Sequence, residues 1–263
     1  MSVNTFTSFG QVIPVLGPVL GFPGTNSHLP FTTVVKRPVK STATLNLAFG
    51  EAAVVVPDST GGTWMSVKDF LKTVANVANL AQYLAGFALR EVKTNLTYPA
   101  GIVPGVQQVG YYAPNELAEV MEQSGIIATL AYGTPQSNMP AYVRIAANST
   151  LVGTAVGDIE AAADLVTTTG SISAASATLT VGSGTGIQVG QLVTSAVPAF
   201  PDNTYVTVVN STTITLSQNA FAALSGAAVV FANTLKIPYT VFRTGVVDTN
   251  NSVELEILRR NAA

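Results

Sequence analysis

The chain has 263 residues, 48% of them hydrophobic and only 10% charged, against about 25% charged in an ordinary globular domain. Disorder throughout is excluded, because a disordered chain needs low hydrophobicity and high net charge, and here mean hydropathy is +0.40 with a formal net charge of -2. The lack of cysteine removes disulfide frameworks, thiolate metal sites and cysteine nucleophiles, and 12 Lys+Arg against 14 Asp+Glu leave no basic field to hold a phosphate backbone.

Charge this sparse has two readings. Much of the surface is covered by other subunits, or it is wetted by hydroxyls, of which 32 Thr and 18 Ser supply plenty. No stretch approaches the ~20 apolar residues of a membrane span. The apolar run 12–22 is broken by Pro14, Gly17 and Pro18, with no Lys or Arg before Lys36. The expectation is a protein made in the cytoplasm without a signal peptide.

Residues 1–35 carry no formal charge, and Pro14, Pro18, Pro23 and Pro30 lie too close together for a helix. Residues 1–40 read as an extended N-terminal arm or loop, lying either on a neighbouring subunit or on its own domain. Phe6, Phe9, Val12 and Phe22 are its candidate contact residues. Lys36, Arg37 and Lys40 form the densest basic cluster. They suit either an acidic partner surface or a solvated edge where Lys and Pro discourage strand pairing.

Residues 43–57 alternate and then run apolar, predicting one or two strands closed by a turn over 57–62. Ser66 with Asp69 resembles a capping box, and Val67, Phe70, Leu71, Val74, Val77 and Ala78 follow helical spacing, predicting one amphipathic helix. Further strands are predicted over 87–92, 119–130 and 141–147. Between Asp164 and Lys236 the only charge is Asp202. Five short strands are predicted there, over 177–181, 191–195, 204–209, 212–217 and 227–231. The character of the first half then returns, with strands predicted over 239–242 and 253–258, so 166–232 reads as a small β module inserted into a host domain of 41–165 and 233–263.

Chemistry is scarce. His28 is the only histidine, and no nucleophile elbow accompanies it. Gly182 to Gly186 lacks a phosphate-loop lysine and reads as a hairpin turn. Asp158, Glu160 and Asp164 are the one carboxylate cluster. Alternation places Asp158 and Glu160 on one strand face, where a hard cation or a shared proton is conceivable, without the positive partner an active site needs. Glu116, Glu119 and Glu122 have helix-like spacing that a solvated face explains. The expectation is no enzyme, no cofactor and no metal.

Four stretches belong together: Ala88-Leu-Arg-Glu-Val-Lys-Thr-Asn, Tyr111-Tyr-Ala-Pro-Asn-Glu-Leu-Ala-Glu-Val-Met, Ala141-Tyr-Val-Arg-Ile-Ala and Val156-Gly-Asp-Ile-Glu-Ala-Ala-Ala-Asp. As a set they resemble the structural cement, or capsid decoration, proteins of tailed bacteriophages. In that family the acidic run leads almost directly to an Asn-Thr-x-x-Leu-Pro-like strand and an Arg-Thr-Gly turn. Here the matching Asn233-Thr-Leu-Lys-Ile-Pro and Phe242-Arg-Thr-Gly come only after the charge-poor module. The module itself, with Gly186-Ile-Gln-Val-Gly-Gln-Leu-Val, looks like small β units common in phage virion proteins.

The resemblance implies a virion structural protein without an active site that binds major capsid protein on the outer capsid surface, bridges its subunits and self-associates there as a dimer or trimer, with neither nucleic acid nor membrane as partner. The fold expected is mainly β, a β-barrel or β-sandwich-like host domain with one or two short helices plus an inserted small all-β, Ig-like or similar, module. Capsid-interface candidates are Phe6, Phe9, Val12, Phe22, Lys36, Arg37 and Lys40. The alternative is a tail, baseplate or fibre-associated protein whose module binds the bacterial surface, which would call for an outward aromatic patch near Phe200, Tyr205 or Phe221.

Overall fold

The computed structural model describes residues 6–8, 11–13, 23–27, 32–59, 61–90, 110–148 and 151–258. In chain order the strands are β1 (Phe6–Ser8), β2 (Gln11–Ile13), β3 (Thr33–Pro38), β4 (Leu47–Ala48), β5 (Ala52–Val56), β6 (Thr63–Ser66), β7 (Leu84–Ala88), β8 (Tyr111–Tyr112), β9 (Leu117–Tyr132), β10 (Pro140–Arg144) and β11 (Ile159–Glu160). There follow β12 (Leu165–Ile172), β13 (Thr178–Val181), β14 (Leu192–Ser195), β15 (Val206–Asn210), β16 (Thr213–Leu216), β17 (Leu224–Ala232), β18 (Thr234–Phe242) and β19 (Ser252–Ile257). Among the described residues helix is confined to α1 (Val67–Phe70), a 3-10 turn over Val74–Asn79 and α2 (Leu80–Tyr83). The fold is mainly β, with a barrel at its centre.

The long strand β9 organises the host domain. Its first half lies between β3 and β7, so that Val35 and Ala88 both sit opposite Val120. Its second half lies between β19 and the segment 24–27, so that Leu255 and Asn26 both sit opposite Ile126. The change of partners falls at Ser124, a buried residue at φ 140, beside Gly125. A side chain rarely adopts that backbone conformation, and it bends the strand from one set of neighbours to the other.

Around the second half, β9, β19, β18, β10 and β11 form a closed ring, completed by the parallel pairing of β11 with β9. Ile126, Ala128, Val143, Val253 and Leu255 belong to its core, which continues into Phe70 and Leu80 of the helices. Around the first half, β3, β9, β7, β5 and β6 form a second ring, closed by a parallel bridge between Val39 and Trp64. Trp64, Ala53, Ala88, Tyr112 and Val120 belong to its separate core. Closure of the first ring removes free edges that would otherwise invite aggregation; the second is joined by one bridge beyond the end of β3. At Gly86 a Cβ would stand 1.9 Å from the Met121 carbonyl oxygen, so β7 crosses β9 at a separation that only glycine allows.

The helix expected as one piece is broken. Ser66 does cap α1, its hydroxyl accepting from the Asp69 amide at 3.2 Å. Asp69 does not reach back to complete the box and instead accepts from the Thr44 amide at 2.8 Å and the Thr44 hydroxyl at 2.6 Å. Thr73 is extended, and Asn76 turns its side-chain amide onto the Phe70 carbonyl at 2.7 Å. β-Branched and Asn residues at 73, 74, 76, 77 and 79 weaken continuous helix, while tertiary burial of Val67, Phe70, Val77 and Leu80 keeps the short pieces in place.

Residues 165–232 make a six-stranded sheet of their own, in the order β14-β17-β12-β13-β16-β15. A bridge between Leu192 and Tyr205 joins its two end strands, giving one sheet curled on itself rather than the two stacked sheets of an Ig-like sandwich. Its core is separate, built on Leu179, Ile214, Val229 and Phe231 among others. One strand, β12, was not anticipated. Its run Leu-Val-Thr-Thr-Thr-Gly-Ser-Ile hides an alternation that buries only Gly170 and Ile172 fully. The glycine-rich 182–186 is not a hairpin turn either, since it connects β13 to β14, which are not neighbours. Gly184 there lies against the Ser211 carbonyl, where a Cβ would approach to 2.0 Å.

Candidate interaction surface

Of the seven candidate contact residues, Phe9 and Phe22 lie outside the described residues, as does His28. Phe6 and Val12 are on the two strands of a small hairpin, in which Phe6 pairs with Ile13 and Val12 with Thr7. The arm read over 1–40 ends earlier in the fold, because residues 33–38 are β3 of the host sheet. Part of it is also docked on its own domain: Gly24 donates to the Ile127 carbonyl at 2.8 Å and Ser27 to that of Gly125 at 2.9 Å.

Of the three basic candidates, Lys36 and Arg37 lie on β3 with different contacts, and Lys40 follows the strand. Lys36 reaches across to Glu119 on β9 at 3.2 Å, an exposed pair worth no more than about 1 kcal/mol. Arg37 lays its guanidinium 5.4 Å from the centre of the Trp64 ring and donates to the Gly61 carbonyl. The Lys40 amide bonds the Trp64 carbonyl at 2.8 Å. Among the described residues no strand pairs the outer edge of Thr33 to Arg37, and Val34 is exposed on it. Such an edge can accept an added strand, with Lys36 and Pro38 restricting what can pair there.

The carboxylate cluster separates. Glu160 is fully buried and takes a two-pronged contact from the equally buried Arg144, whose Nε meets Oε1 and whose Nη2 meets Oε2 at 2.9 Å. Arg144 Nη1 also donates to Asp164 Oδ2 at 2.9 Å, and Asn148 donates to the same oxygen at 2.8 Å. Burial pushes the Glu160 carboxyl up, opposed by Arg144. For Arg144 burial works against the charge, and hydrogen bonds to Glu160 and Asp164 outweigh it, holding it above its usual value. Asp158 points elsewhere, so the two carboxylates do not share a site. The sequence shows Arg144 only as one residue of an apolar run; its place opposite Glu160 comes from the β10–β11 pairing. Glu119 and Glu122, expected on helical spacing, are on strand β9.

This ion network stands at the root of the module. The Asp164 amide donates to the Thr234 hydroxyl at 2.9 Å, and the Gln191 side chain donates to Asn233 Oδ1 at 2.7 Å. Leu192 and Tyr205 of the module pack against the host core. The module is thus seated on the barrel through this end.

Cavities open at the module loop and between the two host rings. One, of about 220 Å³, is formed by the module loop 193–203 and is lined by Asp202, the module's one charge. The other, of about 410 Å³, lies between the two host rings and is lined by Glu51, Lys68 and Asp158 together with Phe49, Leu130 and Ile159. Glu51 and Lys68 were not singled out in the sequence. The available signal was a lone carboxylate at the mouth of the apolar run Ala52–Val56. Among the described residues no group of three or more His, Cys, Asp and Glu is placed to hold a metal, and no helix is long and apolar enough to cross a membrane. Compared with models of known protein families and with curated proteins, the chain matches none.

Proposed function

We propose that this is a non-enzymatic structural protein of a tailed-phage virion, which binds the outside of the capsid and stabilises it by bridging major capsid protein subunits. The observation that supports this most is how the segments carrying the resemblance assemble. The stretches beginning at Ala141 and Val156, and the separate Asn233 stretch beyond the module, contribute β10, β11 and β18 to one closed ring, while the Tyr111 stretch supplies the first half of β9, the strand whose second half completes that ring. Stretches separated in sequence by the module thus lie side by side in one ring, and the module has its own core.

In this reading the host domain seats on the shell through the arm and the β3 edge, copies associate as dimers or trimers, and the module projects outward. Many weak contacts repeated over a lattice give the shell more resistance than any one contact has. Purified protein should co-sediment with expanded empty capsids, and virions lacking it should lose infectivity at lower temperature. Absence of capsid binding together with unchanged heat resistance overturns the proposal.

A second reading, a tail-associated protein whose module binds the bacterial surface, is favoured by one observation: Phe221 is 61% exposed, and its amide bonds Ala199 beside the loop cavity. Phe200 is buried, however, and Tyr205 packs on the host core, so the ring stands alone. Immunolabelling of virions separates the readings by label over the head or over the tail.

A further inference from the structure

The cleft between the two host rings holds a carboxylate that the protein does not satisfy. The Glu51 side chain is only 9% exposed. Its Oε2 accepts from the Ala48 amide at 3.0 Å, while its Oε1 is buried with no hydrogen-bond partner. The nearest cation, Lys68 Nζ, is 3.9 Å from that oxygen and closer, at 3.3 Å, to Asp158 Oδ1. Asp158 Oδ2 is in turn occupied by the Ala155 amide at 2.7 Å. Lys68 is held in this position, since Gly157 packs so tightly on its stem that a Cβ there would meet Lys68 Cγ at 2.4 Å. A buried acceptor left unmade costs about 1–3 kcal/mol, more when charged, and Glu51 is among the residues that line an open cavity of about 410 Å³.

We propose that this cleft is a receptor for one basic side chain, an arginine presented by another polypeptide. Charge balance selects the guest. Two carboxylates against one ammonium leave a single negative charge, which a monocation neutralises. An anion would face two carboxylates, and a divalent metal would find Lys68 beside it and no third acidic or imidazole ligand among the described residues. A guanidinium brings several donors in a planar fork, so it can serve Glu51 Oε1 and a neighbouring carbonyl together. Its aliphatic stem suits the walls made by Phe49, Leu130 and Ile159. Free arginine is a poorer guest, because its α-carboxylate and α-ammonium would both have to be desolvated beside the cleft, whereas in a peptide neither charge is present. Burial pushes the Glu51 carboxyl up, Asp158 adds to the push, and the Ala48 amide and Lys68 oppose it. A bound guanidinium acts in the same sense as Lys68.

The test is an NMR titration of the full chain with N-acetyl-arginine amide, with the neutral citrulline analogue and free arginine as separate arms. Saturable shifts at Glu51, Lys68 and Asp158 are expected for the blocked arginine, weakened about tenfold or more in Glu51→Gln. Lys68→Met should instead tighten binding by removing the competing cation, a gain that damage to the fold would not produce. Binding should also weaken as acid protonates Glu51. No saturation, equal binding of the citrulline analogue, or equal binding to the Glu51→Gln variant overturns the proposal. Tighter binding of free arginine than of the blocked form overturns the polypeptide source and makes the cleft a small-molecule site.

Discussion

The Asn233 amide donates to the Asp164 carbonyl across 2.9 Å, so the two ends of the inserted module are hydrogen-bonded neighbours. The first pair of the module, Leu165 with Ala232, continues directly from them. Both covalent links therefore leave the barrel side by side, and the host backbone is already nearly closed beneath the module.

Removing residues 165–232 and joining Asp164 to Asn233 through two glycines should leave a host domain that unfolds in one cooperative transition. A modest loss of stability is expected, from uncovering the host face on which Leu192 and Tyr205 pack. Calorimetry and far-UV dichroism of the shortened chain check this. A chain that cannot fold would show that the module is part of the host core.

Arg144→Met should destabilise by about 3–5 kcal/mol, because it leaves Glu160 charged and buried without its partner. The double variant Arg144→Met, Glu160→Met should recover much of that loss, since the uncompensated charge is gone as well. Denaturant titration of the three proteins decides it. Equal loss in the single and double variants would mean that packing, not charge, dominates at this position.

Two carboxylates should bend the stability–pH curve in opposite senses. For Asp69, burial pushes up and hydrogen bonds from Lys72 and Thr44 outweigh it, leaving the group below its ordinary 3.8. Its contribution is present above that value and is lost as pH falls through the lower folded pKa. Glu51 sits above its ordinary 4.5, so the folded state holds that proton more firmly, and stability declines as pH rises from 4.5 through the folded pKa. Unfolding followed across acid pH should show Asp69→Asn flattening the acid loss and Glu51→Gln flattening the decline above it.

Gly86→Ala should be among the costliest single-methyl additions in the chain. The new Cβ meets backbone, the Met121 carbonyl, rather than a side chain that can swing away. A loss of at least the usual 1–3 kcal/mol of overpacking, roughly, is expected in a denaturant melt. Gly153→Ala, where nothing lies within 4 Å, is the contrasting substitution, costing only what its positive φ demands.

The module was legible because its signal is compositional: charge vanishes after Asp164 and returns at Lys236, and Gly, Asn and Ser punctuate the strands between. Strand β12 escaped because three threonines and a glycine carry little apolar alternation, its burial being set by β17 and β13 on either side. The helix was overread because apolar spacing over 67–78 suits short turns packed on a core as well as one helix. The cleft was invisible for a different reason. Glu51, Lys68 and Asp158 lie far apart in sequence, each unremarkable in its own neighbourhood, and only the meeting of two rings along β9 brings them together.

That shared strand also sets an order in time. β9 takes its neighbours from residues 24–27, β3, β7, β11 and β19, drawn from almost the whole length of the chain, whereas every strand of the module finds its partners within 165–232. As the chain leaves the ribosome the module can complete itself while the ring still lacks β18 and β19. Long-range closures are slow, and domains fold as units during synthesis. Maturation of the barrel therefore waits on β18 and β19, which are made after the module, and the finished module is already in place when they arrive.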